Sequence, residues 1–250
     1  MNNNSVFDFY SNYYDLFYND KDYSKEVKYI NSLLNQYGIM GNKILEFGSG
    51  TGKHGRLLSK NGYSVLGIER SEKMAQKANE KGGFLSKVGD IRSLNISDSF
   101  NAVLALFHVM SYQITNDDII AVFKNAAKHL EPKGLFIFDV WYTPAVFFLK
   151  PEIRIKRMKN DNIEAVRIAE PDIIDDKNQI DVNYTIFVRE KGNKQYEELS
   201  ETHSMRHFTI SEIDYLASYV GFKRVVAEEF LTGKNPSKES WGVCFILKKI

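Results

Sequence analysis

Short apolar runs alternate with amphipathic segments through the first 140 residues of the chain. The predicted strands are Lys43–Phe47, Ser64–Ile68, Phe84–Val88, Ala102–Leu106 and Leu135–Val140. The predicted helices are Lys25–Gln36, Gly52–Asn61, Ser71–Lys81 and Asp117–His129. Because helical crossovers join parallel strands, this order predicts an α/β fold with a parallel sheet.

After Trp141 the apolar residues alternate with polar ones, which is typical of strands with one buried face. The predicted elements are strands near Ala165–Ala169, Gln179–Glu190 and Tyr196–Phe208, a helix over Ser211–Val220, and closing strands over Lys223–Phe230 and Trp241–Lys248. We therefore expect an antiparallel β insertion after the fifth strand. It is expected to lie across the carboxyl ends of the parallel strands, where open α/β sheets bind ligands.

These patterns divide the chain into three parts. Residues 1–36 are expected to form an aromatic helical lid, residues 37–142 and 209–250 a ligand-binding domain, and residues 143–208 a substrate-side insertion. The insertion also offers a strand edge at which a homodimer could form.

Composition excludes several classes of partner. Lys and Arg total 33 against 32 Asp and Glu, so no overall field favours a nucleic acid polymer or an anionic membrane. The only cysteine, Cys244, cannot form an internal disulfide, and no Cys/His spacing indicates a metal site. The start "MNNNS" lacks the features of a secretory signal, so we expect a soluble cytoplasmic protein with a small-molecule partner.

The stretch "ILEFGSGTGKHG" places four glycines directly after the first strand. A dinucleotide fingerprint, G-x-G-x-x-G, fits it poorly in either register. A start at Gly48 puts Lys53 at the third glycine position. A start at Gly50 lies too far beyond the strand that ends near Phe47.

A second spacing fits better, with an acid at Glu46 followed by Gly48, Gly50 and Gly52. The glycines let the main chain approach a ligand closely, and the carboxylate can face a positive group. S-adenosylmethionine carries an ammonium and a sulfonium but no phosphate. The turn therefore suits this cofactor better than a pyrophosphate, which the carboxylate would repel.

Two further acids follow the next two strands. Glu69 ends the second strand, where the corresponding acid of a nucleoside-binding fold reaches ribose hydroxyls. Asp90 follows the third strand and is placed to accept a hydrogen bond from the exocyclic amine of adenine. Three acids at the ends of successive strands are more specific than the glycines alone.

Residues 40–142 resemble the class I S-adenosylmethionine-dependent methyltransferases through the motifs "ILEFGSGTG", "VLGIERSEKM", "VGDIRSL" and "LEPKGLFIFDVW". A closer resemblance, to N,N-dimethyltransferases of nucleotide-linked amino sugars, rests on "YDLFYNDKDY", "ETHSMRHFT" and the pair Trp141–Tyr142 with Pro144 behind it. The resemblance implies a Rossmann-like sheet with S-adenosylmethionine as the cofactor.

The resemblance implies roles at matching positions. The implied cofactor contacts are Glu46, Gly48, Ser49, Gly50 and Gly52 at the methionine end, Glu69 at the ribose, Asp90 and Ile91 at the adenine, Leu106 and Phe107 near the reactive methyl, and Tyr14 and Tyr23 closing over it. Arg70 and Met74 are further implied cofactor contacts. The candidate catalytic residues are Tyr14, His108, Tyr112 and His203. The candidate substrate-binding residues are Asp139, Trp141, Tyr142, His203 and Arg206.

Two of these candidates have specific alternatives. The amino-sugar enzymes tend to carry a histidine at the position of Tyr112, so this chain departs from their pattern there. Asp139 either binds an ammonium or merely ends a strand. On the alternating segment around His203, we expect His203 and His207 to share one face, with His207 at the surface.

Seven aromatic residues lie between Phe7 and Tyr18, which is dense for a solvated terminus. They are either core residues or part of a mobile lid, and we favour the lid because closing it would remove water from the reacting pair.

The expected function is methyl transfer to the amino group of a nucleotide-linked sugar, since an amine needs only a free lone pair. The alternatives are O-methylation of a surface-polysaccharide sugar or of a phosphorus-containing metabolite, with His203 or His108 as the base. A non-catalytic cofactor-binding protein and an NAD-dependent dehydrogenase are the remaining alternatives.

Overall fold

A computed structural model of the protein describes residues 10–250. The helices are α1 (Tyr10–Phe17), α2 (Tyr23–Gln36), α3 (Lys53–Lys60), α4 (Glu72–Glu80), α5 (Asn116–His129), α6 (Thr143–Leu149) and α7 (Ile210–Tyr219). The strands are β1 (Lys43–Phe47), β2 (Ser64–Glu69), β3 (Leu85–Val88), β4 (Phe100–Ala105), β5 (Leu130–Tyr142), β6 (Arg154–Lys159), β7 (Ile163–Ile174), β8 (Gln179–Glu190), β9 (Glu197–Phe208), β10 (Phe222–Glu229) and β11 (Gly242–Lys249). Short 3₁₀ helices cover Val109–Tyr112 and Asp175–Lys177.

The main sheet has the order β3-β2-β1-β4-β5-β11-β10. Its first five strands are parallel, whereas β11 runs antiparallel to β5 and β10 antiparallel to β11. The chain order therefore reverses between β1 and β4, which places a ligand crevice at the carboxyl ends of these two strands. The predicted parallel α/β sheet is confirmed.

Helices cover both faces of this sheet. α2 turns Val27, Ile30, Leu33 and Leu34 inward, as its 3.6-residue spacing predicts, and all four are buried. Each such side chain stabilises the fold by about 1.5–3 kcal/mol. The opposite face is packed by α5 and α7 over an aromatic core that contains Phe123, Phe136, Phe138 and Phe245.

Strands β6 to β9 form an antiparallel sheet inserted between β5 and α7. It joins the main sheet where β9 pairs in parallel with the end of β5, through Trp141 with His207 and Tyr142 with Phe208. This junction carries the insertion to the carboxyl edge of the parallel strands. The sequence predicted β7, β8 and β9 but missed β6 and α6.

The N-terminal helix α1 packs against the insertion. Phe17 is completely buried against Ala165, Ile186 and Val188, and Tyr13, Tyr14 and Tyr18 are packed around the same cluster. For Phe17 the interpretation as a core residue is therefore right. Phe7 and Phe9 lie outside the described residues, and closure of a lid remains a prediction.

The expectation that His207 lies at the surface is wrong. Its side chain is fully buried between β9 and α6, with Nδ1 2.9 Å from Oγ1 of Thr143 and its ring edge against Phe147. Burial and the positive charge of Arg206 lower the pKa of His207 to about 4.

Within residues 10–250, no helix has both the length and the apolar character that crossing a bilayer requires.

The buried His207 predicts an acid-sensitive fold. Its pKa of about 4 is below the ordinary 6.5, so the unfolded chain binds more protons between these values and stability falls as the pH drops from 6.5 towards 4. The full loss would be roughly 3 kcal/mol. Urea unfolding at pH 7 and pH 4.5 should show a larger loss for the wild type than for His207→Gln. Equal losses would contradict this role.

Candidate functional site

The glycine turn after β1 is hydrogen-bonded to the end of β2. The N–H groups of Gly48 and Ser49 both donate to the carbonyl oxygen of Ile68, at 2.8 and 3.1 Å. The N–H of Gly50 donates to Oε2 of Glu69 at 2.8 Å. The turn therefore cannot move independently of the second strand.

Glycine is required in this turn for two different reasons. At Gly48, φ is +65° and an added Cβ would lie 2.5 Å from the side chain of Val109. At Gly50, φ is +54° but an added Cβ would meet nothing within 4 Å. The turn is thus closed at Gly48 and open at Gly50, where a ligand can approach the bare main chain.

Glu69 is the acid that closes the turn. Its two oxygens accept from the N–H groups of Gly50 and Ser71, both at 2.8 Å, and its residue is only 8% exposed. Burial raises the pKa of Glu69, although these two hydrogen bonds act in the opposite direction. The carboxylate is held at the mouth of the crevice by the backbone on both sides.

Glu46 lies beneath the first turn of α3, close to Gly55. Its Oε1 is 3.9 Å from Nδ1 of His54, and its Oε2 has no hydrogen-bond partner among the described residues. Burial and the nearby charge of Glu69 raise the pKa of Glu46 to about 8. A neighbouring cation stabilises the ionised form of a buried carboxyl group that lacks a hydrogen-bond partner.

His54 connects Glu46 to the segment between α1 and α2. Its Nε2 lies 2.6 Å from Oε2 of Glu26, and Lys21 forms an ion pair with the other oxygen of Glu26. The Nζ of Lys21 also lies 4.1 Å from the ring centroid of Phe107. Acidic and basic groups therefore alternate from Glu46 to the loop that follows α1.

The third predicted acid lies beside the second. The N–H of Gly89 donates to the carbonyl oxygen of Glu69 at 3.0 Å, so Asp90 follows directly at the same sheet edge. Although burial opposes it, the double hydrogen bond from Arg92 lowers the pKa of Asp90. Asp90 is therefore ionised at neutral pH and is engaged by Arg92, which also binds Asp118.

The remaining cofactor candidates differ in what they present to the crevice. Ser49 directs its hydroxyl to that of Ser86 at 2.9 Å, so only its main chain belongs to the turn. Met74 and Leu106 are buried, Ile91 is partly buried, and Arg70 is exposed.

At the end of β4, Phe107 and His108 both adopt left-handed backbone conformations, with φ of +64° and +62°. Such conformations cost about 1–3 kcal/mol each in residues other than glycine and concentrate at functional sites. Asp139 on the adjacent strand β5 holds them, because its oxygens accept from the N–H groups of Phe107 at 2.7 Å and His108 at 3.1 Å.

Asp139 also pairs with the imidazole of His108. Nδ1 lies 2.7 Å from Oδ2 of Asp139, which is 1% exposed. Burial favours the protonated acid, but the charge and hydrogen bonding of His108 outweigh it and lower the pKa of Asp139. The structure thus brings two predicted site residues, one catalytic and one substrate-binding, into direct contact.

Tyrosine side chains lie over this edge of the sheet. Burial and the neighbouring phenols of Tyr23, Tyr18 and Tyr112 raise the pKa of Tyr14. The ring of Tyr18 meets that of Phe107 edge-on at 5.0 Å. Two predicted residues, Tyr14 and Tyr23, are therefore close to each other and to a third, Tyr112.

A hydrogen-bonded chain connects the 3₁₀ helix after β4 to the insertion. The hydroxyl of Tyr112 lies 2.9 Å from Nδ1 of His203, and Nε2 of His203 lies 3.1 Å from Oε1 of Glu201. Burial raises the pKa of Tyr112 well above its ordinary value, with Tyr184 and Tyr18 adding to the effect. Tyr112 is therefore a neutral phenol at physiological pH.

Glu201 and Tyr184 were not predicted as site residues. Glu201 lies two positions before His203 on the same strand face, so the period-two pattern could have included it. Tyr184, whose ring meets His203 edge-on at 4.9 Å, comes from β8, and only the strand pairing of the insertion reveals it.

The substrate candidates separate into two groups. Trp141 lies 5.8 Å from the ring of His108 and belongs to the site. Tyr142 packs into the aromatic core on the other face of β5. Arg206 binds Glu212, Asn116 and the carbonyl oxygen of Ile114, so the structure does not bring it to His203.

Comparisons with known proteins agree with this geometry. Residues 44–134 match a family model described as a methyltransferase domain. A dTDP-3-amino-3,4,6-trideoxy-alpha-D-glucopyranose N,N-dimethyltransferase from Streptomyces venezuelae is 25% identical over 213 residues, which cover 84% of this chain and 88% of the relative.

Two solved structures share the fold. The crystal structure of DesVI from Streptomyces venezuelae superposes with a TM-score of 0.82 at 23% identity, over 96% of this chain and 98% of that one. CalS10, an amino pentose methyltransferase from Micromonospora echinaspora solved with S-adenosylmethionine bound, has a TM-score of 0.78 at 19% identity and is covered fully in both directions.

The parallel sheet, the glycine turn with its acids and the methyltransferase domain matched over residues 44–134 together support an S-adenosylmethionine-dependent methyltransferase. Within that class it is similar to the dimethyltransferases of nucleotide-linked amino sugars.

The site residues fit this cofactor. Bound S-adenosylmethionine supplies a methyl group on a sulfonium, and the unpartnered Oε2 of Glu46 is an acceptor that a cation would satisfy. The main chain at Gly50 is open to a ligand. The acids at the strand ends, Glu69 and Asp90, carry carboxylates that could accept hydrogen bonds from an adenosyl group. The methyltransferase domain matched over residues 44–134 argues against the dinucleotide alternative.

The pKa of Glu46 predicts a pH-dependent affinity. A cation favours the ionised carboxylate, so below pH 8 binding must displace a proton and the affinity for S-adenosylmethionine should fall. The fall should be at most about tenfold per pH unit. Calorimetric titrations between pH 6 and 9 should show this slope in the wild type and a flatter one in Glu46→Gln. Parallel slopes would mean that Glu46 does not sense the cofactor.

Proposed function

We propose that the protein transfers methyl groups from S-adenosylmethionine to the amino group of a nucleotide-linked sugar. The observation that carries the proposal is the similarity to named dTDP-amino-sugar N,N-dimethyltransferases, which in one case covers 84% of this chain and 88% of the relative. That coverage extends well beyond the residues matched by the methyltransferase family model.

The chain of hydrogen bonds from Tyr112 to Glu201 supports an amine acceptor. If Nε2 of His203 carries its proton towards Glu201, Nδ1 accepts from the Tyr112 hydroxyl. The oxygen of a hydroxyl that donates in this way can still accept hydrogen bonds, including one from an amine N–H. Its high pKa excludes a phenolate base at neutral pH, so positioning an amine is the role that suits it.

Positioning is the main requirement of this reaction. The leaving group already carries its charge, so alignment and removal of water supply most of the catalysis, up to roughly 7–11 kcal/mol for well-oriented partners. Tyr14 and Tyr112 are half-buried at this edge of the sheet, and the burial that raises both pKa values also limits the access of water to them.

The His108–Asp139 pair also supports a second candidate, which is O-methylation of a surface-polysaccharide sugar or of a phosphorus-containing small metabolite. A hydroxyl acceptor needs a base, and the His108–Asp139 pair has the arrangement of one. This pair is equally compatible with an amine that arrives protonated.

Product analysis separates the two candidates. The protein is incubated with labelled S-adenosylmethionine and three matched nucleotide-linked sugars that carry an amino, an acetamido or a hydroxyl group at the same carbon. The proposal predicts singly and doubly methylated amine and no labelled acetamido or hydroxyl sugar. Label found only on hydroxyl or phosphoryl acceptors would replace it with the second candidate.

The Tyr112 network predicts a measurable loss on removal of one hydroxyl. Tyr112→Phe should lower kcat/KM about tenfold, because an acceptor hydrogen bond of roughly 1.4 kcal/mol is lost. Tyr215→Phe, at a tyrosine that is 72% exposed on α7, is the matched control and should match the wild type. An unchanged kcat/KM in Tyr112→Phe would remove Tyr112 from the acceptor site.

A further inference from the structure

A cavity of about 330 Å³ opens beside His108, between the end of β10 and the start of β11. Its walls include Phe230 and Trp241, and its polar groups include Glu229, Glu239 and Ser240. The volume is in the range that small-molecule sites occupy. Nothing in the sequence pattern marked it, because its lining comes from a loop and two strand ends.

His108 connects this cavity to the site described above. Oδ2 of Asp139 lies 2.7 Å from Nδ1 of the imidazole, which is an ion-pair distance without hydrogen-bond geometry, and its charge favours a proton on that side. The Cε1 edge faces Gly242, where an added Cβ would lie 3.9 Å away. Nε2, which is next to Cε1 in the ring, therefore keeps its lone pair on the cavity side.

The cavity is acidic and aromatic. Glu229 accepts from Ser240 at 2.5 Å and from Thr232 at 2.9 Å, and these hydrogen bonds lower its pKa, so it is ionised at neutral pH. Trp241 meets Trp141 edge-on at 5.8 Å, and Trp141 in turn borders His108. Carboxylates with aromatic faces attract ammonium groups and repel phosphates.

Two basic groups near the cavity are directed elsewhere, whereas a third, Lys234, lies close enough to Glu229 to help lower its pKa. The Nζ of Lys238 lies 3.8 Å from the ring centroid of Phe148, and Lys21 is paired with Glu26 over the ring of Phe107. The charged groups around His108 and the cavity are thus Asp139 from β5, Glu229 at the end of β10, Lys234 and Glu239 from the β10–β11 loop, and Lys21 across Phe107.

We propose that this cavity binds the ammonium-bearing ring of the acceptor and that His108, held by Asp139, removes the proton from that ammonium. The identity of the ligand as the methyl acceptor rests on the proposed function. The binding of an ammonium group is assigned from the residues that line the cavity. The diphosphate end of a nucleotide-linked sugar would lie outside the cavity.

The proton transfer is balanced within the site. The N–H bond of the ammonium breaks, its electron pair stays on the nitrogen as the lone pair needed for attack, and Nε2 of His108 gains the proton. The imidazolium is stabilised by Asp139 and returns the proton to water at the cavity mouth. When methyl transfer follows, the C–N bond forms as the C–S bond breaks, and the electron pair of that bond stays on sulfur.

The cavity can be tested without any methyl transfer. The probes are D-glucosamine, which is an ammonium at neutral pH, and N-acetyl-D-glucosamine, which is neutral. Each is titrated into the protein saturated with S-adenosylhomocysteine, and binding is followed by NMR of the His108 ring. Glucosamine should bind and shift the NMR signals of the His108 ring, whereas the acetylated sugar should bind about tenfold more weakly or not at all.

Three variants locate the binding. Glu239→Gln and Glu229→Gln should each weaken glucosamine binding about three- to tenfold. Glu228→Gln removes the same charge one position away, at a residue whose carboxylate accepts from Tyr29 at 2.6 Å, and should bind as the wild type does. Because Glu239 is exposed, its variant keeps the test valid even if Glu229→Gln disturbs the loop.

Equal binding of the two sugars, or glucosamine binding unaffected by either glutamine variant, would overturn the cavity assignment. If an amine is methylated in the product analysis, His108→Asn should lower kcat by about a hundredfold with little change in glucosamine affinity. An unaltered kcat would remove His108 as the base while leaving the proposed methyl transfer in place. Methylation of hydroxyl acceptors alone, with glucosamine still bound, would refute only the proposed function.

Discussion

The hydrogen bond from the N–H of Gly50 to the carboxylate of Glu69 is the interaction on which the cofactor site depends. It joins the turn after β1 to the end of β2, and the second oxygen of Glu69 fixes the start of α4 through Ser71. One buried acid thus sets the width of the crevice and presents a negative group at its edge. Gly50 suits this turn because its φ of +54° is a backbone conformation that favours glycine.

A second carboxylate holds a turn in the same way at the ends of β4 and β5. Asp139 at the end of β5 holds the strained turn of Phe107 and His108 at the end of β4, and also pairs with the imidazole. A carboxylate that accepts from the backbone of the neighbouring strand end is therefore used twice. The first instance lies at the carboxyl ends of β1 and β2, and the second lies next to His108.

Much of this could be read from the sequence, and the failures have physical causes. The glycine spacing and the strand-end acids follow from local order, since parallel strands end at one edge. β6 was missed because its alternating Arg and Lys side chains, as in Arg154 and Lys156, resemble a solvated loop. His207 was misplaced because α6, which covers it, was also missed. The pairing of Tyr112 with His203 spans 91 positions and depends on how the insertion folds back.

The central claim, that Glu69 shapes the cofactor crevice, is tested most directly by calorimetric titration of S-adenosylhomocysteine into Glu69→Ala. Losing hydrogen bonds to a buried charged acceptor costs about 2 kcal/mol, so the affinity of Glu69→Ala should be roughly thirtyfold weaker than that of the wild type. The affinity of Glu69→Gln should lie between those of the wild type and Glu69→Ala. Glu80→Ala, at an exposed position on α4, should bind like the wild type, and thermal unfolding should show all three variants folded. Undiminished affinity in folded Glu69→Ala would contradict the account.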